Sequence, residues 1–101
     1  MSELEKFLVM FKLFGQERRF KIMVELSRRP MSNGQLSALS ESPGIWPHLQ
    51  KLEEVGLVIK HIYGPRDVKY RADPDALEQM SKFLACMADT ATRIIEPEGT
   101  S

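Results

Sequence analysis

The sequence predicts a mainly helical α+β domain in which four helices precede one β-hairpin and a fifth helix follows it. Apolar residues recur at three- and four-residue spacing along most of the chain, which is typical of amphipathic helices. Between residues 57 and 72, two runs that favour strands flank the turn sequence Gly64-Pro65-Arg66-Asp67. The length of 101 residues fits one compact domain with a modest core.

The composition is typical of a soluble globular protein. Hydrophobic residues make up 43% and charged residues 28%, and the formal net charge is zero. Zero net charge argues against a protein wrapped all over in nucleic acid, but it allows a local basic face. The apolar run near the start is too short to span a bilayer and its flanks are mixed in charge. We therefore expect no membrane anchor and a cytoplasmic location.

The first helix is predicted over residues 3–14 and is unusually apolar. Its main stripe consists of Leu4, Phe7, Leu8, Phe11 and Phe14. Further apolar residues widen this surface, so the helix needs partners on two sides. After Gly15, a second helix from Glu17 to Leu26 turns four apolar residues inward, which are Phe20, Ile22, Met23 and Leu26.

A short third helix is predicted to start at Ser32. Ser32 followed three residues later by Gln35 has the form of a capping box. This helix has room for about two turns before the next turn sequence. We expect it to bury Leu36 and Leu39.

The fourth helix is predicted to begin near Gly44 or Ile45 and to end before Gly56, a residue type common just after a helix. Its inward face consists of Ile45, Leu49, Leu52 and Val55. Pro43 and Pro47 are both compatible with this start, because the N–H groups of a first turn have no intrahelical partner.

The hairpin is predicted from Leu57 to Tyr63 and from Val68 to Ala72. Asp73-Pro74 then supplies an N-cap and a first-position proline for the last helix. One long apolar stripe follows, formed by Leu77, Met80, Phe83, Leu84, Met87, Ala91 and Ile94. A helix over residues 74–95 is about 30 Å long, longer than so small a core can cover. It therefore predicts a dimer.

This order of elements is typical of a winged helix-turn-helix. We expect a single domain over residues 1–96 and a flexible tail at 97–101. Within the domain, residues 32–56 form the helix-turn-helix and residues 57–72 the wing. Residues 1–14 and 74–95 form the dimerisation helices. The expected dimer residues are Leu4, Phe7, Leu8, Phe11, Met80, Phe83, Leu84, Met87, Ala91 and Ile94.

Three segments of the chain resemble ArsR-type transcriptional regulators, in the right order and spacing. LFGQERRFKIMVEL at 13–26 is similar to their second-helix segment, HLQKLEEVGLV at 48–58 to the end of their recognition helix and first wing strand, and VKYRA at 68–72 to their second wing strand. The resemblance spans roughly residues 4–95. It implies a homodimeric regulator that binds double-stranded promoter DNA and releases it, or changes its grip, on receiving a signal from an unidentified small-molecule or protein effector. We expect this regulator to be a repressor.

The chain departs from the metal-sensing members of that family. Such members carry a Cys-x-Cys motif at the third helix, and the corresponding MSNGQLSAL has neither cysteine nor histidine. The only histidines are His48 and His61, both in the half expected to bind DNA. We therefore expect no bound metal and no cofactor. The sequence also lacks a phosphate loop and a nucleophile elbow, so we expect no enzymatic activity.

The expected DNA-binding residues fall in two groups. The helix-turn-helix supplies Ser42, Gly44, Trp46, Pro47, His48, Gln50 and Lys51, and the wing supplies Lys60, Arg66, Lys69 and Arg71. Only the start of the fourth helix is expected to approach DNA, because acidic residues further along would be repelled by phosphates. Individually, the polar residues of this helix are also typical of a solvated face. Arg18 and Arg19 open the second helix, where an ion pair is the expected role of one of them and a phosphate contact the less favoured alternative.

Trp46 and Cys86 each allow more than one interpretation. Trp46 is either a plug between the third and fourth helices, an apolar contact to DNA, or an anchor for a protein partner. With Pro47 it supports a rival function, a winged-helix module that has exchanged DNA for a protein. Cys86, the only cysteine, is expected to act as a small hydrophobe. A redox role through an interchain disulfide is the alternative hypothesis.

Overall fold

The computed structural model describes residues 2–39 and 44–94 and confirms the predicted fold class. The helices are α1 (Glu3–Phe14), α2 (Glu17–Arg28), α3 (Asn33–Leu39), α4 (Ile45–Glu54) and α5 (Pro74–Arg93), and the strands are β1 (Val58–Gly64) and β2 (Asp67–Ala72). Ser42 and the predicted tail lie outside the described residues. The order is that of a winged helix-turn-helix, with α3 and α4 as its two helices and the hairpin as its wing.

Local sequence fixes where the helices begin. The predicted capping box at α3 is confirmed: the Ser32 amide donates to Gln35 Oε1 at 2.8 Å, and the Gln35 amide donates to Ser32 Oγ at 3.1 Å. At α5, the Asp75 amide donates to Asp73 Oδ1 at 2.9 Å, and Pro74 follows as the first helical residue. Each device supplies an acceptor for an amide that has no partner inside the helix.

Gly56 ends α4 and sets the direction of the chain into the wing. It lies at φ +86°, a left-handed conformation that glycine adopts without a steric cost. The Leu57 amide donates to the Leu52 carbonyl at 2.9 Å, and the Gly56 amide donates to the Glu53 carbonyl at 3.1 Å. This is a Schellman motif, and Leu52 and Leu57 are both fully buried around it. α4 and the wing are therefore joined through a hydrogen-bonded turn flanked by two buried leucines.

The hairpin is antiparallel, and Met31 forms an isolated β-bridge to its second strand. Its register pairs Val58 with Ala72 and Lys60 with Tyr70, and a bulge interrupts it between Ile62 and Gly64. Met31 exchanges two backbone hydrogen bonds with Tyr70, of 2.9 and 2.8 Å. The sequence did not predict this bridge, which anchors the link between α2 and α3 to the base of the wing.

The core joins residues from every element. It comprises Phe7, Met10, Ile22, Met23, Leu26, Met31, Leu36, Ile45, Leu49, Leu52, Leu57, Val58, Tyr70, Ala72, Ala76 and Met80. Two predictions of burial were wrong. Leu39 is 53% exposed because α3 ends there and its last residue projects from the packed part of the helix. Phe20 is 47% exposed and contacts Phe14 edge-on at the surface, with ring centroids 5.4 Å apart.

The second half of α5 is not buried by any of the described residues. Only Ala76 and Met80 of this helix are buried, and Phe83 is half-buried against α1. Every residue from 84 to 94 is exposed. None of the described helices is both long enough and apolar enough to cross a membrane.

Candidate nucleic-acid interface

The start of α4 is capped by backbone geometry alone. Gly44 is the N-cap residue at φ +89°, and no side chain in the described ranges accepts a hydrogen bond there. Pro47 stands third in the helix, where its missing N–H removes a donor that would otherwise lack a partner. Among the described residues no side chain caps the amides of Ile45 and Trp46, and the start of a helix favours an anion.

Burial divides α4 into two faces as predicted. Ile45, Leu49 and Leu52 are buried, with at most 2% of each residue exposed. Trp46 is 49% exposed, so it lies at the edge of the buried face and does not plug the core. The other expected contact residues Gly44, Pro47, Gln50 and Lys51 are exposed. These residues form one accessible surface at the helix start.

His48 differs from the other polar residues of α4. It is half-buried, and its Nδ1 atom is buried without a hydrogen-bond partner among the described residues. Burial lowers the pKa of His48 below its ordinary value, and the positive charges of Arg19, Arg18 and Lys51 lower it further. The imidazole is therefore held neutral in a positively charged environment.

Arg18, Arg19, His48 and Lys51 together form what we name the α2–α4 cluster. Both arginines are half-buried at the start of α2, and Arg19 Nε is buried without a partner in the described part of the chain. The ion pairs among residues 2–39 and 44–94 are Lys21–Glu17 at 3.0 Å, Arg28–Glu25 at 3.6 Å and Arg93–Asp89 at 2.7 Å. None of them includes a member of the cluster. The predicted ion pair of Arg18 or Arg19 is therefore not observed within those residues.

The wing separates the four basic residues that the sequence grouped together. Cross-strand partners lie on the same face of the hairpin, so Lys60 shares a face with Tyr70. This face is buried at the base of the wing. Lys69 and Arg71 pair with His61 and Ile59 and lie on the opposite face. Arg66 is exposed in the turn between the strands. The four cations therefore cannot all contact one flat face of a partner at the same time.

Contacts within the wing hold two of these cations in place. Arg71 Nε donates to His61 Nε2 at 3.0 Å, so His61 accepts through that nitrogen. The His61 and Tyr63 rings stack with centroids 5.9 Å apart, and Lys69 Nζ lies 5.9 Å from the centre of the Tyr63 ring. Arg66 is the cation at the tip, where the chain projects furthest from the packed base of the wing.

The remaining predicted residues lie on α1 and α5. Phe7 and Met80 are buried in the core, and Phe11 and Phe83 pack against it. The exposed members of the expected dimer surface are Leu4, Leu8, Leu84, Met87, Ala91 and Ile94. Cys86 is a free, exposed cysteine on α5. In the part of the chain that the structure describes, no three His, Cys, Asp or Glu side chains are arranged to hold a metal ion.

Comparisons with solved structures found several close matches. An ArsR-like transcriptional regulator from Rhodococcus sp. RHA1 is 26% identical with a TM-score of 0.76, over 89% of this chain and 86% of that one. HlyU from Vibrio cholerae N16961 is 27% identical with a TM-score of 0.69, over 86% and 97% of the two chains. The transcriptional regulator HlyU from Vibrio vulnificus CMCP6 is 29% identical with a TM-score of 0.62, over 79% and 84%. A scan of protein-family models and a search of curated proteins found no match.

These neighbours confirm two expectations from the sequence. The resemblance to ArsR-type winged helix-turn-helix regulators holds for the fold as a whole, from α1 to α5. The neighbours are transcriptional regulators, a non-enzymatic class, which confirms the prediction that the chain is not an enzyme.

Proposed function

We propose that this chain, which has the fold of the ArsR-type winged helix-turn-helix regulators, is a homodimeric transcriptional repressor that binds double-stranded DNA and does not sense metal. The start of α4 enters the major groove, and the tip of the wing contacts the flanking backbone. The chain acts in the cytoplasm, where such DNA is found.

The observation that best supports DNA binding is the accessible surface at the start of α4. Trp46, Gln50 and Lys51 are exposed there, while Ile45 and Leu49 tie the same turn to the core. Gln50 can hydrogen-bond to base edges, Lys51 can contact a phosphate, and the Trp46 ring can contact thymine methyl groups. Since few of these side chains read bases directly, we expect modest sequence specificity and affinity that falls steeply with salt.

The homodimer is supported by apolar residues that a single chain leaves in water. Leu4 is 67% exposed, Leu84 52%, Met87 54% and Ile94 70%. An amphipathic helix with an exposed apolar stripe is stabilised by burying that stripe against another element. A second copy that packs α1 and α5 against the same helices gives a twofold dimer and places two recognition helices on one DNA.

The absence of metal sensing is supported by the residues available in one chain. His48 lies beside cations and His61 accepts a hydrogen bond from Arg71, so neither histidine is arranged as a ligand. Cys86 is the only cysteine. Zinc sites are built from several sulfur and nitrogen donors, which these side chains do not provide together. Repression is the simplest outcome of binding, because a dimer on a promoter blocks access without any further contact.

The test is a binding titration with purified protein. The DNA upstream of its own gene and a random duplex of equal length are compared by fluorescence anisotropy at low and moderate salt. We expect tighter binding to the upstream duplex, one dimer per site by light scattering, and weaker binding as salt rises. Equal binding to both duplexes would contradict sequence-specific regulation, and a reporter gene that is more active with the protein present would contradict repression.

A protein-binding module is the second candidate, and one observation favours it. Trp46 is half-exposed beside the exposed Pro47, and exposed tryptophans are frequent anchors in protein interfaces. The α2–α4 cluster opposes it, because cations without ion pairs in the described residues suit a phosphate better than an apolar partner. Absence of binding to either duplex at low salt, together with a protein contact that is lost in Trp46→Ala, would favour the second candidate.

A further inference from the structure

We propose that the α2–α4 cluster is a second DNA-phosphate site, in which Arg19 and His48 contact one backbone phosphate and His48 takes up a proton as the DNA binds. This inference rests on the proposed function and extends the DNA-binding surface from α4 to the start of α2. It also makes DNA affinity depend on pH.

Arg18 and Arg19 begin α2, and His48 lies one turn into α4, the helix whose start is expected to reach DNA. α2 and α4 pack against each other, and both arginines act electrostatically on His48. A phosphate that contacts the start of α4 therefore lies within reach of side chains from α2.

Two buried atoms of the cluster lack a hydrogen-bond partner, and none of its cations forms an ion pair among the described residues. Arg19 Nε and His48 Nδ1 are both buried, and neither has a hydrogen-bond partner among residues 2–39 and 44–94. Glu17, the nearest acidic residue in the sequence, pairs instead with Lys21 at 3.0 Å. Several cations placed together, with no paired carboxylate in the described part of the chain, cost stability in the free protein, and such arrangements are concentrated at functional sites. The two non-bridging oxygens of a backbone phosphate share one negative charge and can accept hydrogen bonds from both side chains.

The protonation of His48 depends on the charges that surround it. α4 packs against α1, α2, α3 and β1. α3 has no ionisable side chain, and the charges that lower the pKa of His48 are those of Arg19 and Arg18 on α2 and Lys51 on α4. The ionisable residues of α1 and β1 are not among the causes of the lowered pKa; they are Glu3, Glu5, Lys6, Lys12, Lys60, His61 and Tyr63. A bound phosphate reverses this field, so the imidazole is protonated in the complex and binding takes up a proton from solution.

The experiment measures DNA affinity for single variants of the full chain. Arg19→Gln is compared with Arg28→Gln, which removes the same charge from the same helix nine residues further along, about 14 Å away. We expect Arg19→Gln to weaken binding about tenfold, as loss of a charge-assisted hydrogen bond does, and to reduce the salt slope by about one. Arg28→Gln leaves both quantities near wild type. Arg19→Lys keeps the charge and therefore keeps the salt slope.

The two histidines give a matched test of proton uptake. Wild-type protein is titrated with the same duplex between pH 5.5 and 8, and we expect the affinity to rise as the pH falls, by up to about tenfold per pH unit for one proton. His48→Gln removes this dependence, and His61→Gln retains it. Thermal unfolding of each variant checks that the fold is intact.

The outcomes separate this inference from the proposed function. If wild-type protein binds DNA but Arg19→Gln matches Arg28→Gln, or His48→Gln keeps the full pH dependence, the phosphate site is wrong and the regulator stands. If wild-type protein binds no DNA even at low salt, the proposed function fails and the phosphate site fails with it.

Discussion

The rings of Phe7 and Phe83 stack with centroids 4.6 Å apart and planes inclined by 19°, which joins α1 to the first half of α5. Phe11 adds a tilted contact to Phe83 at 6.0 Å. One helical turn beyond Phe83, Met87 is 54% exposed. α5 therefore changes at this point from a helix packed on its own domain to an exposed helix, which is where we expect the second copy.

Met87→Glu is expected to separate the two copies without unfolding either. The side chain is exposed in one chain, so a charge is tolerated there, whereas burying that charge in a dimer is costly. Sedimentation should give the mass of one chain, with α-helical circular dichroism retained. Lys82→Glu, on the opposite side of the same helix, should remain a dimer. A dimeric Met87→Glu protein would place the interface elsewhere.

Gly56→Ala is expected to destabilise the fold by about 1 kcal/mol, because alanine is strained at φ +86°. No atom lies within 4 Å of the added Cβ, so the cost is conformational and not steric. Gly34→Ala is the control, since Gly34 lies inside α3 at an ordinary φ and its nearest neighbour is Ser32 Oγ at 3.8 Å. That change should stabilise by about 0.5–1 kcal/mol. Urea unfolding measures the free energy of unfolding of both variants. Equal changes in the two would contradict a special role of the turn at Gly56.

Arg66→Ala is expected to weaken binding to all DNA sequences alike. Arg66 is exposed at the wing tip, where it can contact a phosphate but has no base edge assigned to it. The salt slope should fall by about one, and the preference for the upstream duplex should stay unchanged. Arg93→Ala, far along α5, serves as the charge-matched control. A selective loss for one sequence would mean that the wing reads bases.

Stability should depend on pH through His48. Its pKa in the folded protein is lowered, chiefly by burial, so between the folded and unfolded pKa values the unfolded chain binds more protons. Stability from this group is therefore present above pH 6.5, the ordinary pKa, and is lost as the pH falls below it. Urea unfolding from pH 5 to 8 should show a shallower loss for His48→Gln than for wild type. Identical curves would show that His48 is as hydrated in the fold as in the unfolded chain.

The order and type of the elements could be predicted from sequence because local patterns decide them. The Ser32/Gln35 box, Asp73-Pro74 and Gly56 each act on neighbouring residues, and the structure confirms each one. The Met31–Tyr70 bridge could not be predicted in this way. It joins residues 39 positions apart, and a single residue between Pro30 and Ser32 has no periodicity to indicate a strand.

The candidate site was only partly predictable for a related reason. Periodicity placed Trp46 off the buried face of α4, and its 49% exposure agrees. Periodicity within one helix gives no information about the neighbouring helix, so the approach of Arg18 and Arg19 to His48 was missed. The wing cations were grouped by position in the chain, whereas the register assigns Lys60 and Lys69 to opposite faces. A residue-by-residue register of the hairpin would have indicated that separation.

The most direct test of DNA recognition by α4 uses Trp46, the chain's only tryptophan, as its own reporter. Its fluorescence is followed while the upstream duplex, and separately a random duplex, is added at low and moderate salt. Recognition through the start of α4 predicts a saturable change in Trp46 emission, at lower DNA concentration for the upstream duplex. Tight binding with unchanged emission would move the contact away from Trp46, and absence of binding at low salt would contradict DNA recognition altogether.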